Sequence, residues 1–237
     1  MKLSIIIPVY CEEKTVLKIL EKVMLVKIKN VEIEIVVVDD GSTDSTWKLV
    51  LRSAAKGSKF KTIKHEKNQG KGAAVRTGIK NATGDYIIIQ DADLEYDPKY
   101  IPTLFNYVKS KNEVVYGTRL ARMPHLKKEE RRFQFLAHYL GNRFLSFVTS
   151  VLYGQWITDM ETCYKLFPRN AVLTMNLRSK GFDFEPEITS KLLKKGFRIK
   201  EIPITANPRG YDEGKKLNTF RDGFIALVTL LKYRFSD

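Results

Sequence analysis

Short apolar, β-branched runs alternate with helical periodicities through the first half of the chain. Residues 3–8 read as a strand buried on both faces, ending in Pro8-Val9-Tyr10. Past Glu12-Glu13-Lys14, residues Val16, Leu17, Ile19, Leu20 and Val23 recur at helical spacing. Glu32–Asp39 repeats the strand pattern and runs into Asp39-Asp40-Gly41-Ser42-Thr43-Asp44. Ser42 or Asp44 is placed to cap the next helix, which carries Trp47, Leu49, Val50 and Leu51. Residues 60–64 predict a weaker strand, and Asn68-Gln69-Gly70-Lys71-Gly72 opens a helix that stops at Ala82-Thr83-Gly84. Tyr86–Ile89 is another buried strand, 98–109 a helix with Pro98 near its first turn, and 113–117 a further strand. This alternation predicts an α/β fold, a mostly parallel sheet with helices on both faces.

Beyond Thr118-Arg119 the texture changes. Residues 127–132 are a charge run, and 133–152 a long aromatic-rich segment interrupted by His138, Asn142 and Arg143. Leu166-Phe167 is strand-like, Asn170 is placed to cap a short helix, 184–195 read as a helix ended by Gly196, and 198–204 as a returning strand. Residues 205–216, rich in Gly, Pro and charge, predict a mobile loop, and 219–234 an amphipathic closing helix. At 237 residues the chain can bury one substantial core, so we expect a single domain over 1–237.

Charge narrows the partners. The chain has 41 Lys+Arg against 27 Asp+Glu, a net +14, which suits phosphate-bearing partners such as a nucleotide or an anionic membrane face, and equally a Lys-rich proteome. Cys11 and Cys163 form no C-x-x-C, and His65, His125 and His138 lack zinc-ligand spacing, so a reduced, cytosolic setting is expected. The chain starts into a strand rather than a secretory signal, and no apolar run reaches spanning length, so no bilayer crossing is expected.

The candidate chemistry sits where strands end. Tyr86–Ile89 runs directly into Asp91 and Asp93, carboxylates one residue apart that can point the same way. Mg²⁺ sits on one or two carboxylates plus substrate phosphates, so this D-x-D is a candidate seat for a metal–diphosphate; the plainer reading makes both residues turn formers. In open parallel sheets ligands collect beyond the carboxyl ends of the strands. Three strand ends lead into acidic or polar residues there: Tyr10/Glu12, Asp39/Asp40 and Asp91/Asp93.

Taken together, Ile7-Pro8-Val9-Tyr10 with Glu12, Val38-Asp39-Asp40-Gly41-Ser42-Thr43-Asp44, Asn68 with Gly70-Lys71-Gly72, Asp91-Ala92-Asp93-Leu94-Glu95, Gly117-Thr118-Arg119 and the late Arg209 with Lys215-Lys216 resemble family 2 glycosyltransferases of the GT-A fold. Within them the chain looks like the polyprenyl-phosphate sugar transferases, such as dolichol-phosphate mannose synthase, over nearly its whole length. The resemblance implies a Rossmann-like sheet followed by C-terminal amphipathic helices, with residues 1–118 binding the nucleotide-sugar and 119–237 the acceptor. It implies inverting, metal-dependent transfer of mannose or glucose from GDP-mannose or UDP-glucose to a polyprenyl phosphate.

Residue by residue, Pro8, Tyr10, Glu12 and Asp39 would hold base and ribose, and Asp91 and Asp93 would manage Mg²⁺ or Mn²⁺ and the diphosphate. Glu95 stands where many relatives carry Gln, either as a third ligand or facing solvent. Gly70-Lys71-Gly72 fits neither a Walker loop nor a dinucleotide fingerprint; its glycines permit close packing, and Lys71 either contacts ligand or is only solvated. Arg119, Arg131 and Arg132 resemble acceptor-phosphate grips, although the last two also read as an exposed charge run. Arg209, Lys215 and Lys216 would close over the diphosphate. Asp159 and Glu161 lie where relatives with hydroxyl acceptors place a base; Asp159 could instead orient the acceptor or an arginine.

Phe144, Leu145, Phe147, Val148, Val151 and Trp156, with the closing helix, form apolar, aromatic faces flanked by basic residues, which suit either core packing or an anionic membrane interface. The expected place is cytoplasmic, peripheral on the inner face of the cell membrane. Typical relatives add membrane spans after this point; the present chain ends there, as a naturally soluble form or a trimmed one. Two other functions stay in view: the same fold attacking with a saccharide hydroxyl, and a basic nucleic-acid module. The latter lacks a recognised motif, and acidic strand ends would repel phosphates, so no nucleic-acid partner is expected.

Overall fold

The computed structural model describes residues 1–55, 57, 60–110, 112–120, 132–207 and 219–236. Its first half alternates as the pattern predicts: β1 (Lys2–Val9), α1 (Val16–Met24), β2 (Glu32–Asp39), α2 (Thr46–Ala55), β3 (Lys61–Lys64), α3 (Lys71–Asn81), β4 (Tyr86–Ile89), α4 (Tyr100–Phe105) and β5 (Val114–Thr118). The second half adds α5 (Arg132–Tyr153), β6 (Lys165–Pro168), α6 (Arg169–Leu173), α7 (Phe184–Lys194), β7 (Ile199–Pro203) and α8 (Thr219–Phe235). The described strands form one seven-stranded sheet of order β3-β2-β1-β4-β6-β5-β7. β3, β2, β1 and β4 run parallel, and β7 runs parallel to β5.

The apolar runs of β1 and β4 explain their central places, since Leu3, Ile5, Ile6, Ile7 and Ile87 to Ile89 are shut from solvent on both faces. α3 lies close on this sheet because Gly78 faces Ile6, where an added Cβ would stand 2.4 Å from Ile6 Cγ2.

The departures are local, apart from one. α4 is shorter than the 98–109 pattern suggests: Asp97 Oδ1 accepts the Lys99 N–H at 3.1 Å in the turn that precedes it, and the helix ends at Phe105. α6 begins directly after β6, which puts Pro168 rather than Asn170 at its cap. Of the expected mobile loop, residues 208–216 lie outside the described residues; its stem is anchored, with Asn207 N–H donating to Glu95 O at 2.9 Å. The larger difference is β6, which enters between β4 and β5 and runs antiparallel to both. It therefore starts at the edge where the parallel strands end, and the residues leading into it arrive there.

One polar knot stabilises the opposite edge. Glu34 accepts hydrogen bonds from Ser4 Oγ, Thr83 N–H and Thr83 Oγ1, and pairs with Lys61 at 2.9 Å. Burial opposes its charge, yet Lys61, Ser4 and Thr83 together bring its pKa from 4.5 down to about 2. Glu34→Gln is expected to cost about 2 kcal/mol at neutral pH. A depressed folded-state pKa stabilises fully above the ordinary glutamate value, and that share is lost as pH falls toward 2. Urea denaturation of both proteins from neutral to acid pH should show their stability gap closing; a gap that stays constant would discard this account.

Candidate active site

Beyond the carboxyl ends of β1, β2 and β4 lies a cavity of about 360 Å³. Pro8, Tyr10 and Glu12 line it from the end of β1, Asp40 from β2, Asp91, Asp93 and Glu95 from β4, and Arg119 from β5. Glu12 is held in place: its N–H donates to Thr46 Oγ1 at 2.8 Å, and its Oε2 accepts from Thr15 Oγ1 at 2.7 Å.

The loop after β4 is pinned from below. The buried Gln90 amide donates to the carbonyls of Asp91 and Tyr96 at 3.0 and 3.1 Å and accepts from Tyr164 Oη. Leu94 takes a left-handed φ of 65° within this turn, a conformation that its fixed neighbours must maintain. Asp93 Oδ1 accepts the Glu95 N–H at 3.0 Å, so the turn-forming reading of Asp93 holds alongside its place on the cavity wall. Among the described residues no group of three or more His, Cys, Asp or Glu side chains gathers to hold a metal; Glu95 lines the cavity alongside Asp91 and Asp93.

Lys71 is not a solvated surface lysine. Its Nζ lies 2.9 Å from Asp91 Oδ2 and 2.8 Å from Glu185 Oε1. Burial works against its charge, but Asp91 and Glu185 outweigh it and hold its pKa well above the usual lysine value. The glycines beside it permit close packing against protein backbone: Gly70 has φ 96°, and a Cβ there would meet Lys180 O, while one on Gly72 would meet Ser179 O.

Asp40 ties this loop down, accepting from Gln69 and Gly70 N–H at 3.1 and 2.7 Å and meeting His65 Nδ1 at 2.6 Å. It, and not the fully buried Asp39, forms the cavity wall. Asp39 lies behind, with Oδ1 accepting the Ser42 N–H at 2.9 Å and Oδ2 without a hydrogen-bond partner among the described residues. Asp39 thus helps form the turn before α2, while Asp44, one of the two expected caps of that helix, accepts the Thr46 N–H at 3.0 Å.

At the far end, Arg119 donates through Nε and Nη2 to the two oxygens of Asp159, each at 2.8 Å, and lies 5.6 Å from the Tyr96 ring centre. Asp159 is fully buried; burial opposes its charge, but Arg119 keeps its carboxyl below the usual range. Of the three roles expected for Asp159, a base, an orienter of the acceptor or an orienter of an arginine, this geometry matches the last. Glu161, from the same segment, reaches the cavity wall. Burial first, and then the charge of Glu185, push its carboxyl up to about 8. Lys165 is shut from solvent behind it, donating to Met160 O at 2.6 Å and lying 4.2 Å from the Tyr116 ring centre.

A second cavity of about 290 Å³ shares Arg119, His138, Glu161 and Phe182 with the first. Its remaining wall is largely Phe144 and Leu145 of α5 with Phe220, Phe224 and Leu227 of α8. Phe147, Val151 and Trp156 are exposed on and just after α5, and Val228 and Phe235 on α8. No helix among the described residues is long and apolar enough to cross a membrane. Arg131, Arg209, Lys215 and Lys216 lie outside the described residues, as does the side chain of Arg132.

Phe182 and Glu185 carry no local signal that marks them as site residues; they come from just before α7 and from its first turn, remote in sequence from the strand ends. Asp40 stands beside a recognised position, but its pairing with His65 depends on how the ends of β2 and β3 meet.

Residues 4–173 match the glycosyl transferase family 2. A UDP-N-acetylglucosamine–dolichyl-phosphate N-acetylglucosaminyltransferase of Methanococcus voltae is 31% identical over 245 residues, covering 96% of this chain and 94% of that protein. A low-salt glycan biosynthesis hexosyltransferase of Haloferax volcanii is 31% identical over 249 residues, covering 99% of this chain and 55% of that one. The chain thus spans about half the length of the Haloferax relative. Glucosyl-3-phosphoglycerate synthase from Mycobacterium tuberculosis, crystallised with Mn²⁺, UDP and phosphoglyceric acid, shares the fold, with a TM-score of 0.73 at 17% identity over 100% of this chain and 79% of that one. The match over most of the chain, with the strand-end cavity it encloses, establishes that the chain belongs to glycosyl transferase family 2 and is a glycosyltransferase of the GT-A fold.

Proposed function

We propose that the chain transfers a hexose, or its 2-acetamido form, from a nucleoside diphosphate sugar to a polyprenyl phosphate, with inversion, at the cytoplasmic face of the membrane. The observation that carries this reading is the second cavity: an aromatic cleft between α5 and α8 opens into the strand-end cavity with Arg119 on their shared wall. A polyprenyl chain suits the cleft, its phosphate suits the Nη1 side of the Arg119 guanidinium that the Asp159 pairing does not use, and the exposed aromatic residues around it suit a membrane interface. The Methanococcus relative, named for UDP-N-acetylglucosamine and dolichyl phosphate, favours uridine over guanine and a lipid acceptor over a saccharide.

The donor lies along the other cavity, its nucleoside toward Pro8, Tyr10, Glu12 and the Asp39-Asp40 corner, its diphosphate toward Asp91 and Asp93. The donor set fits a hard divalent ion, Mg²⁺ or Mn²⁺: two carboxylates one residue apart, both on the cavity wall, are what an ion completing its shell from diphosphate oxygens requires. Asp91 and Asp93 would hold it, and when bound it would offset the negative charge growing on the departing diphosphate. Lys71 holds Asp91 from behind, and Arg119, aimed by Asp159, grips the acceptor phosphate. That phosphate is an anion at neutral pH and needs no general base. Burial and the neighbouring Glu185 charge favour the protonated form of Glu161, which would make it a poor one. Residues 1–118 then serve the donor and 119–237 chiefly the acceptor, within one domain.

Incubation with radiolabelled UDP-glucose, UDP-N-acetylglucosamine or GDP-mannose, and with either polyprenyl phosphate or oligosaccharide, tests the reading. Label is expected in the lipid phase; label appearing only in the saccharide would transfer the assignment to a hydroxyl acceptor.

A further inference from the structure

We propose that Glu161 and Glu185 together form the subsite that reads hydroxyl groups of the transferred sugar, an inference that rests on the donor reading above. Both side chains line the strand-end cavity, and each holds a carboxyl oxygen shut from solvent with no hydrogen-bond partner among the described residues: Oε1 of Glu161 and Oε2 of Glu185. Glu185 is only 3% exposed, and its other oxygen is taken by Lys71 at 2.8 Å. Buried carboxyl oxygens without donors are unfavourable and rare, so this pair awaits hydrogen-bond donors.

Position names the donor class. Lys71 bridges Glu185 to Asp91, which puts Glu185 one ammonium group away from the diphosphate end. Glu161 shares both cavities with Arg119, which puts it at the acceptor end. A sugar in transit lies between leaving diphosphate and incoming phosphate, and so meets both carboxyls, with Phe182 on the same wall to cover an apolar face of the ring. A cation is the other class of guest for two carboxyls, but the Lys71 ammonium already sits 2.8 Å from Glu185 Oε1 and would repel a second positive charge there. The charge balance agrees with a neutral polyhydroxyl guest. Burial and the neighbouring Glu185 charge favour a proton on Glu161, which can then donate to one sugar oxygen while accepting from another hydroxyl.

The experiment uses the best-binding of UDP-glucose, UDP-N-acetylglucosamine and GDP-mannose, its monodeoxy-sugar analogues, and the bare nucleoside diphosphate. Glu161→Ala is expected to bind the bare nucleotide within about twofold of wild type and to lose about tenfold or more in kcat/KM for the sugar nucleotide. Wild type should lose a similar factor on the analogue that lacks the hydroxyl Glu161 reads, and the variant should lose little further on that analogue. Glu185→Gln, whose amide oxygen can still accept from Lys71, should show the same non-additivity with a second analogue. Because the Glu161 oxygen is unpartnered, the alanine variant should melt no lower than wild type; a lowered melting point would indicate a structural role. Losses that multiply on every analogue, or equal weakening of bare nucleotide, would overturn the subsite while leaving the donor reading intact. A wild-type protein that binds none of the nucleotides would remove both.

Discussion

Asp93→Asn is expected to lower sugar transfer by about a thousandfold or more while leaving the fold intact. The rate loss follows from the leaving group: a departing diphosphate gathers negative charge, and preorganised stabilisation of such charge is worth several kcal/mol. The fold survives because an asparagine carbonyl can still accept the Glu95 N–H that Asp93 Oδ1 accepts at 3.0 Å, and the substitution keeps the side chain's size. Melting should therefore shift by no more than about 1 kcal/mol in equivalent stability. Single-turnover transfer with added Mg²⁺ or Mn²⁺, run beside thermal denaturation, checks both halves. Undiminished turnover in the variant, or full wild-type activity in excess chelator, would remove the divalent ion from the mechanism.

Asp159→Ala should do the opposite, harming stability and acceptor use together. It leaves the Arg119 guanidinium in a largely buried position without its counter-charge, and breaking one side of such a pair costs about 3–5 kcal/mol. Arg119→Ala leaves the Asp159 carboxylate stranded at zero exposure and should cost a similar amount. Replacing both with apolar residues should recover much of the loss, because no unpaired charge then remains buried. The double variant should still fail with polyprenyl phosphate while binding bare nucleotide normally. Urea midpoints with acceptor KM separate the effects; a double variant that transfers sugar at the wild-type rate would show that the pair is purely structural. Arg119→Lys is a finer probe, since it keeps the charge and loses the two-pronged fork held at 2.8 Å on each arm.

How much of this was legible in advance follows from where each interaction lies along the chain. β2 and β4 fall where the apolar runs place them, because a strand buried on both faces must be apolar without interruption. Asp91, Asp93, Tyr10 and Glu12 were legible for the same reason: each follows a recognisable strand, and strand ends in such sheets face ligands. Lys71 was readable as a position but not as a role, since its two partners, Asp91 and Glu185, come from different elements. Asp39 and Asp40 show the limit within a single dipeptide. Adjacent side chains on a strand end point to opposite sides, and sequence alone does not say which side holds the cavity.

Strand periodicity and the acidic residues that close three of the runs were thus properties of the sequence by itself, enough to reach the mostly parallel sheet and its ligand-facing edge, while the enzyme class came from the motifs that resemble family 2 glycosyltransferases. The direction of β6 was settled only in three dimensions. A short apolar strand such as Lys165–Pro168 satisfies its burial equally well in either direction, and its antiparallel course depends on the space left between β4 and β5. That course delivers Asp159 and Glu161 to the strand-end edge, and the packing of α7 on the same edge adds Phe182 and Glu185. Local pattern reports which residues are buried; which distant residues share a cavity is decided when the sheet closes around its last strands.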